Sequence, residues 1–137
     1  MTAWVLDTSA LLAYFWNEPG NERVADVLES GDHVISAVNL SELVSKFVDH
    51  GIPDEEIPRL IAGLELSVHA HDAALARDTG TLRRKTRHLG LSLGDRACLA
   101  LAQQLDAVAI TTDRPWLGLD PALGIQVECI RPDASRP

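Results

Sequence analysis

At 137 residues the chain has the length of one domain with a sizeable core, and 46% of it is apolar, which excludes a disordered protein. No apolar run reaches the length of a membrane span, and no basic stretch precedes the first apolar residues, which argues against a signal peptide. Acids outnumber bases by 20 to 12. That balance opposes a general DNA-binding module, but it allows an enzyme that gathers acids at one site, and it suits a basic protein partner.

In chain order, Ala3 to Leu6 is a short apolar run that ends in Asp7-Thr8-Ser9, and an apolar helix from about Ser9 to Trp16 follows. Asn17, Pro19, Gly20 and Asn21 form a loop. Glu22 to Ser30 reads as a second helix stopped by Gly31, and His33 to Ser36 as a second strand. Ser36 or Asn39 caps a third helix that runs to about His50, where Gly51 and Pro53 break it. Asp54 is expected to cap a fourth helix ending near Gly63, with Leu66 to His69 as the third strand.

Asp72 opens a polar helix, expected to kink at Gly80, which carries Arg83, Arg84, Lys85, Arg87 and His88. Gly90 ends it. Ser92 and Asp95 form the Ser-x-x-acid pattern of a helix start, and Cys98, Leu99, Leu101, Ala102 and Leu105 give that helix a wide apolar face. Ala107 to Thr111 is a fourth strand, followed by a turn around Pro115 to Leu119 and an edge strand from Gln126 to Ile130. Helices alternating with short apolar strands indicate a three-layer α/β fold with a mainly parallel sheet. Residues 1–131 read as a single domain and 132–137 as a disordered tail. Cys98 and Cys129 have no metal or redox spacing and read as reduced residues of a cytoplasmic protein.

Two strands that end in an acid beside hydroxyls suggest a parallel sheet whose carboxyl ends share one crevice. If the first and fourth strands are neighbours, Asp7 and Asp113 are close, and Asp95 at a helix start can face the same space. Three ionised carboxylates that close repel one another, and a hard divalent cation with oxygen ligands relieves the repulsion. Each acid can instead be a separate cap, since acids are common at helix starts. Glu42 is a fourth candidate, in the first turns of the third helix with Asn39 on the same face; it could equally pair with Lys46 at i, i+4.

The basic run Arg83 to His88 either holds a phosphate backbone near the crevice or is a solvated face. Arg96 and Arg114 each adjoin a candidate ligand and could hold a phosphate backbone or orient the neighbouring acid. His69 and His71 lack the further ligands that zinc needs. Tyr14, Phe15 and Trp16 are core or an exposed patch for a partner.

With these acids in hand, the chain resembles the PIN-domain ribonucleases, specifically the VapC-type toxins of toxin–antitoxin pairs. The resemblance rests on Asp7-Thr8-Ser9-Ala10, Asn39-Leu40-Ser41-Glu42, the run from Ser92 to Ala102, and Thr111-Thr112-Asp113-Arg114-Pro115-Trp116. It implies a sheet of order 3-2-1-4-5 with helices on both faces, and Mg²⁺- or Mn²⁺-dependent endonucleolytic cleavage of RNA. It further implies Asp7, Glu42, Asp95 and Asp113 as metal-binding acids, with Thr8 or Ser9, Asn39 and Thr112 as the donors supporting them. Lys46 or an arginine would stabilise the leaving oxygen. A homodimer and a small antitoxin with a basic and apolar tail are the implied assemblies. A haloacid-dehalogenase-type phosphatase would need a second Asp where Ser9 stands, and a receiver-like binding module fits the third strand poorly.

Overall fold

The computed structural model describes residues 3–131, and the tail expected at 132–137 lies outside the described residues. The strands β1 (Trp4–Leu6), β2 (His33–Ser36), β3 (Ser67–His69), β4 (Val108–Thr111) and β5 (Gln126–Cys129) form one sheet in the order β3-β2-β1-β4-β5. Every pairing is parallel, so the sheet is wholly rather than mainly parallel. Six helices connect the strands: α1 (Thr8–Phe15), α2 (Asn21–Ser30), α3 (Ala37–Asp49), α4 (Ile57–Gly63), α5 (Ala73–Thr86) and α6 (Leu93–Leu105).

Strand alternation splits the core in two. Val5 and Ala109 face one side of the sheet and pack with Leu75, Leu82, Leu99 and Trp116. Leu6, Ile35 and Ile110 face the other side, against Leu11, Val24, Leu43 and Phe47. Both faces are therefore covered, as a parallel sheet requires. Each such buried side chain contributes roughly 1.5–3 kcal/mol. The register pairs Leu6 with Ile110, which sets the end of β1 beside the end of β4.

The helix starts follow local chemistry. Ser36 caps α3 by accepting from the Val38 N–H, and Asp72 caps α5 by accepting from the Leu75 N–H. Two expectations change. The fourth helix begins at Ile57 with no side-chain cap, and the hydrogen bonds from Glu56 N–H to Pro53 O and Ile57 N–H to Asp54 O make a turn of the segment where Asp54 was expected to cap. α5 runs unbroken through Gly80, because the loss of one Cβ leaves the backbone ladder intact; it ends instead in a 3-10 turn, Arg87–Leu89.

Two contacts fasten the edge strand. Gly20 (φ 94°) lets the loop before α2 lie against β5's end, where a Cβ would stand 2.7 Å from Ile130 O. The Arg23 guanidinium grips Glu128 through two hydrogen bonds of 2.7 and 3.1 Å and lies 4.7 Å over the Trp4 ring. Cys98 is buried, Cys129 is half-buried and both are free thiols. Among the described residues no helix is long and apolar enough to cross a membrane.

Candidate active site

β1 stops at Leu6, and Asp7 takes the position before α1 with extended backbone (φ −74°, ψ 151°). Its N–H still donates to Ile110 O at 3.0 Å, so the residue is held at the seam of β1 and β4. The carboxylate is only 3% exposed and does not cap the helix. Its Oδ2 accepts from Ser9 Oγ (2.6 Å) and Thr111 Oγ1 (2.8 Å). Burial pushes its pKa from 3.8 to about 7; the two hydroxyls pull it down, and Asp95 and Glu42 push it further up.

Glu42 reaches the same place from α3. Its Oε1 accepts from Thr8 Oγ1 (2.9 Å) and from Asn39 Nδ2 (3.0 Å). Asn39 is fully buried, and its Nδ2 also faces Thr8 Oγ1 and Gly94 O, both at 3.2 Å. Both Glu42 carboxylate oxygens and its Cδ occupy the space where a Cβ on Gly94 would stand. A side chain at residue 94 would therefore have to move the Glu42 carboxylate from this position.

Asp95 sits one residue on, half-buried, in a reciprocal capping box: Ser92 Oγ accepts from the Asp95 N–H (3.2 Å) and Asp95 Oδ2 from the Ser92 N–H (2.9 Å). Asp95 thus caps α6 and also lines the groove beside Asp7 and Glu42. Asp113 follows β4, half-buried, and makes no side-chain cap bond to the 3-10 turn Arg114–Gly118. Burial raises its pKa, and the nearby Asp95 raises it further. Even the buried Cys98 thiol is pushed up, first by burial and then by Asp7, Asp95 and Glu42. Asp95 thus couples electrostatically to Asp7 on one side and to Asp113 on the other.

Asp7, Glu42 and Asp95 line one groove of about 570 Å³, with Lys46 exposed on its wall and Leu12 and Leu93 as apolar flanks. Asp113 does not line it and meets the group through Asp95. The donors are all oxygens, which suits Mg²⁺ or Mn²⁺, and both hydrogen bonds to Asp7 fall on Oδ2. Among the described residues no three His, Cys, Asp or Glu side chains already converge on one point. Asp7, Glu42 and Asp95 are instead turned to protein donors, so the fit is one of donor chemistry and charge. His69 and His71 belong to no such cluster either.

Two expectations are corrected. Arg96 is 6% exposed and donates through Nη1 to Thr79 O at 2.8 Å, so it braces α6 against α5 and is closed to a phosphate. Thr111, not Thr112, gives its hydroxyl to Asp7; Thr112 takes part through its backbone N–H, donated to Ser9 Oγ at 3.0 Å. Arg84 and Arg87 line a separate depression on α5 and its following turn, not the acidic groove. Arg114 is half-buried beside Asp113, with Nη1 3.5 Å from Arg131 O.

The aromatic trio divides. Tyr14 is 38% exposed, Phe15 packs edge-on against Phe47 at 4.8 Å, and Trp16 stacks on His50 at 4.0 Å. The residues missed in the sequence are Thr111 and Gly94. Strand alternation beyond Ile110 signals the first, because it sends Ile110 and Thr111 to opposite faces; nothing local signals the second.

A wholly parallel α/β sheet with an acidic groove at the carboxyl ends of its strands places the chain among three-layer folds that use that edge for ligands. The PIN-domain family profile matches residues 4–117, and the chain belongs to the PIN-domain family. No curated protein gives a significant match. Among solved structures, a chain of DNA-bound VapBC from Salmonella typhimurium is similar with TM-score 0.72 and 21% identity, over 94% of this chain and 98% of that one. VapBC2 from Rickettsia felis, bound to a DNA fragment from its promoter, gives TM-score 0.72 and 16% identity over 93% and 98%. VapBC-5 from Mycobacterium tuberculosis, of the VapBC family of toxin–antitoxin systems, gives TM-score 0.61 and 22% identity over 96% and 100%.

Proposed function

We propose that the chain is a Mg²⁺- or Mn²⁺-dependent endoribonuclease acting in the cytoplasm as the toxin of a toxin–antitoxin pair. The observation that carries this reading is the gathering of Asp7, Glu42 and Asp95 on one groove, with Asp7 buried there. Asp7 is held at a pKa of about 7 by burial and by Asp95 and Glu42. Among the described residues the salt bridge is Arg23–Glu128, remote from these acids. Acids gathered in this way favour a cation, and the all-oxygen donors fit a hard one.

Asp7, Glu42, Asp95 and Asp113 would hold the ion. Ser9 and Thr111 orient the Asp7 carboxylate, while Thr8 and Asn39 orient Glu42. A bound divalent ion supplies Lewis-acid charge neutralisation and a water of lowered pKa for attack at phosphorus. In the hydrolysis a water oxygen bonds to phosphorus as a bridging P–O bond breaks, and the leaving oxygen takes up a proton. Lys46 on the groove wall is placed to steady the developing charge. The partner of the pair is a small antitoxin that sends a basic side chain over Asp7 and Asp95, with exposed Tyr14 and the edge of Trp16 beside its apolar segment. A homodimer is part of the same proposal.

Cleavage of total cellular RNA by the purified protein, with Mn²⁺ and with EDTA, tests the reading. Cleavage is expected only with the metal. Asp7→Asn and Asp95→Asn should each lose at least about a hundredfold in rate with the circular dichroism spectrum unchanged. A fully active variant at limiting Mn²⁺ overturns the assignment.

A further inference from the structure

Five of the chain's 12 lysines and arginines fall between Arg77 and Arg87. Arg77, Arg83, Arg84 and Arg87 line one depression of about 530 Å³ on the outer face of α5 and its following turn. All four are exposed. Gly80 lies among them, and a Cβ there would meet nothing within 4 Å, so the missing side chain leaves a notch in the ring of guanidinium groups. No acid lines the depression; Asp78 faces the adjoining one, with Arg84 and Lys85. Among the described residues none of the five cations forms an ion pair or a side-chain hydrogen bond, although the chain carries 20 acids.

We propose that this face is a track for the phosphate backbone of single-stranded RNA, with the Gly80 notch seating a phosphate between Arg77, Arg83, Arg84 and Arg87. The proposal rests on the ribonuclease reading and adds where the substrate strand runs. Three arguments support it. The groove of acids repels a polyanion, and the whole chain carries a net charge of −8, so affinity must come from a segregated basic surface.

The position is right for that task. Gly90 to Ser92 alone join the basic end of α5 to α6, and these three residues span at most about 11 Å before α6 presents Asp95. The turn Arg87–Leu89 packs against the turn Arg114–Gly118 that follows Asp113, with Leu89 Cδ2 3.1 Å from where a Gly118 Cβ would stand. The track thus begins between the elements that carry Asp95 and Asp113. The size also fits. Arg77 to Arg87 covers about 15 Å at the helical rise, room for a few consecutive phosphates of one strand. Arginine presents a planar fork that matches phosphate oxygens.

The test measures binding apart from cleavage. A fluorescent 20-nucleotide RNA of mixed sequence is titrated with full-length protein in EDTA at several salt concentrations. The triple variant Arg77→Ser, Arg84→Ser, Arg87→Ser is expected to raise Kd at least about tenfold and to flatten the log–log salt slope by about 2, at ~0.7 for each lost contact. Gly80→Glu places a carboxylate in the notch where space is open, so it keeps the helix and should weaken binding as well, and Gly80→Gln should weaken it less. Wild-type affinity and slope in both the triple variant and Gly80→Glu overturn the track. So does a loss confined to duplex DNA of the same length, or no RNA binding by the wild-type protein. Mn²⁺-dependent cleavage of total RNA, run in parallel, separates the two failures: cleavage with unchanged binding removes the track alone, whereas no cleavage removes the ribonuclease reading beneath it.

Discussion

The acidic groove and the basic face of α5 use charge in opposite ways. In the groove, Asp7 is 3% exposed and its carboxylate is held by Ser9 and Thr111, which are themselves bonded to the backbone of Thr112 and Asp113. On α5, Arg77, Arg84 and Arg87 stand in solvent with no partner among the described residues. Buried charge is costly, fixed in place and perturbed in pKa, which is what a reacting site needs. Exposed charge costs almost nothing in stability and acts over a Debye length, which is what capture of a polyanion needs.

The largest expected effect follows from that cost. Asp7 keeps its proton in the native state up to about pH 7, whereas the unfolded chain releases it near 3.8. The native state therefore binds more protons in that window, and stability falls as pH rises through it. The full span amounts to about 4 kcal/mol, at about 1.36 kcal/mol per pH unit. Asp7→Asn should accordingly raise the metal-free Tm at pH 8 and leave it nearly unchanged at pH 3.5, while activity disappears. Mn²⁺ should raise the wild-type Tm at pH 8 and do so far less in the variant. A variant less stable than wild type at pH 8 breaks the claim that the groove stores unfavourable charge.

Two glycines sharpen the comparison next. A Cβ on Gly94 would overlap the Glu42 carboxylate, whereas one on Gly80 meets nothing within 4 Å. Both lie in helices, where alanine is preferred by roughly 1 kcal/mol. Gly80→Ala should raise stability by about that amount. Gly94→Ala should displace Glu42 from Thr8 and Asn39 and lower the cleavage rate about a hundredfold in a folded protein. Urea midpoints and single-turnover rates for the pair check this. A wild-type rate in Gly94→Ala would show that Glu42 does not act from where it stands.

The sequence shows the four acids better than their supports. Asp7 and Asp113 each follow a short apolar strand, so parallel pairing of β1 and β4 brings them to one edge by chain geometry alone. Glu42 lies in the second turn of α3 and Asp95 in the first turn of α6, positions that helix starts reveal through Ser36 and Ser92. The supports depend on contacts between distant segments. Arg96 is adjacent to Asp95 in sequence, but helix geometry turns it about 100° away, onto Thr79 of α5. Gly94 reads as a helix-start residue until α3 is placed against it. Thr111 and Thr112 differ only through strand alternation carried past Ile110, which with the β1–β4 register sends the first hydroxyl to Asp7. The helix expected to kink at Gly80 runs unbroken, with Leu75, Thr79 and Leu82 buried along it, because a glycine alone leaves the backbone ladder intact.

A further expected effect isolates one support. Thr111 is fully buried; its Oγ1 donates to Asp7 Oδ2 at 2.8 Å and accepts from the Asp113 N–H at 3.0 Å. Thr111→Val keeps the shape and removes these two bonds together with the 3.2 Å contact to Ser9 Oγ, so stability should fall by about 1–2 kcal/mol. The bond to Asp7 is charge-assisted only when that carboxylate is ionised. Removing it also removes one of the influences that lower the Asp7 pKa, so the loss should be larger at pH 8 than at pH 4. Thr111→Ser should restore most of it. Thr112→Val should cost little, since the bond recorded at that residue is donated by its backbone N–H. On α5, Thr81→Val should also cost little, because its hydroxyl bond to Asp78 O is solvent-exposed. Urea titrations of the four variants at the two pH values read the difference directly. An equal loss at both pH values would mean that Thr111 holds only the Asp113 backbone and that the buried carboxylate is oriented by Ser9 alone.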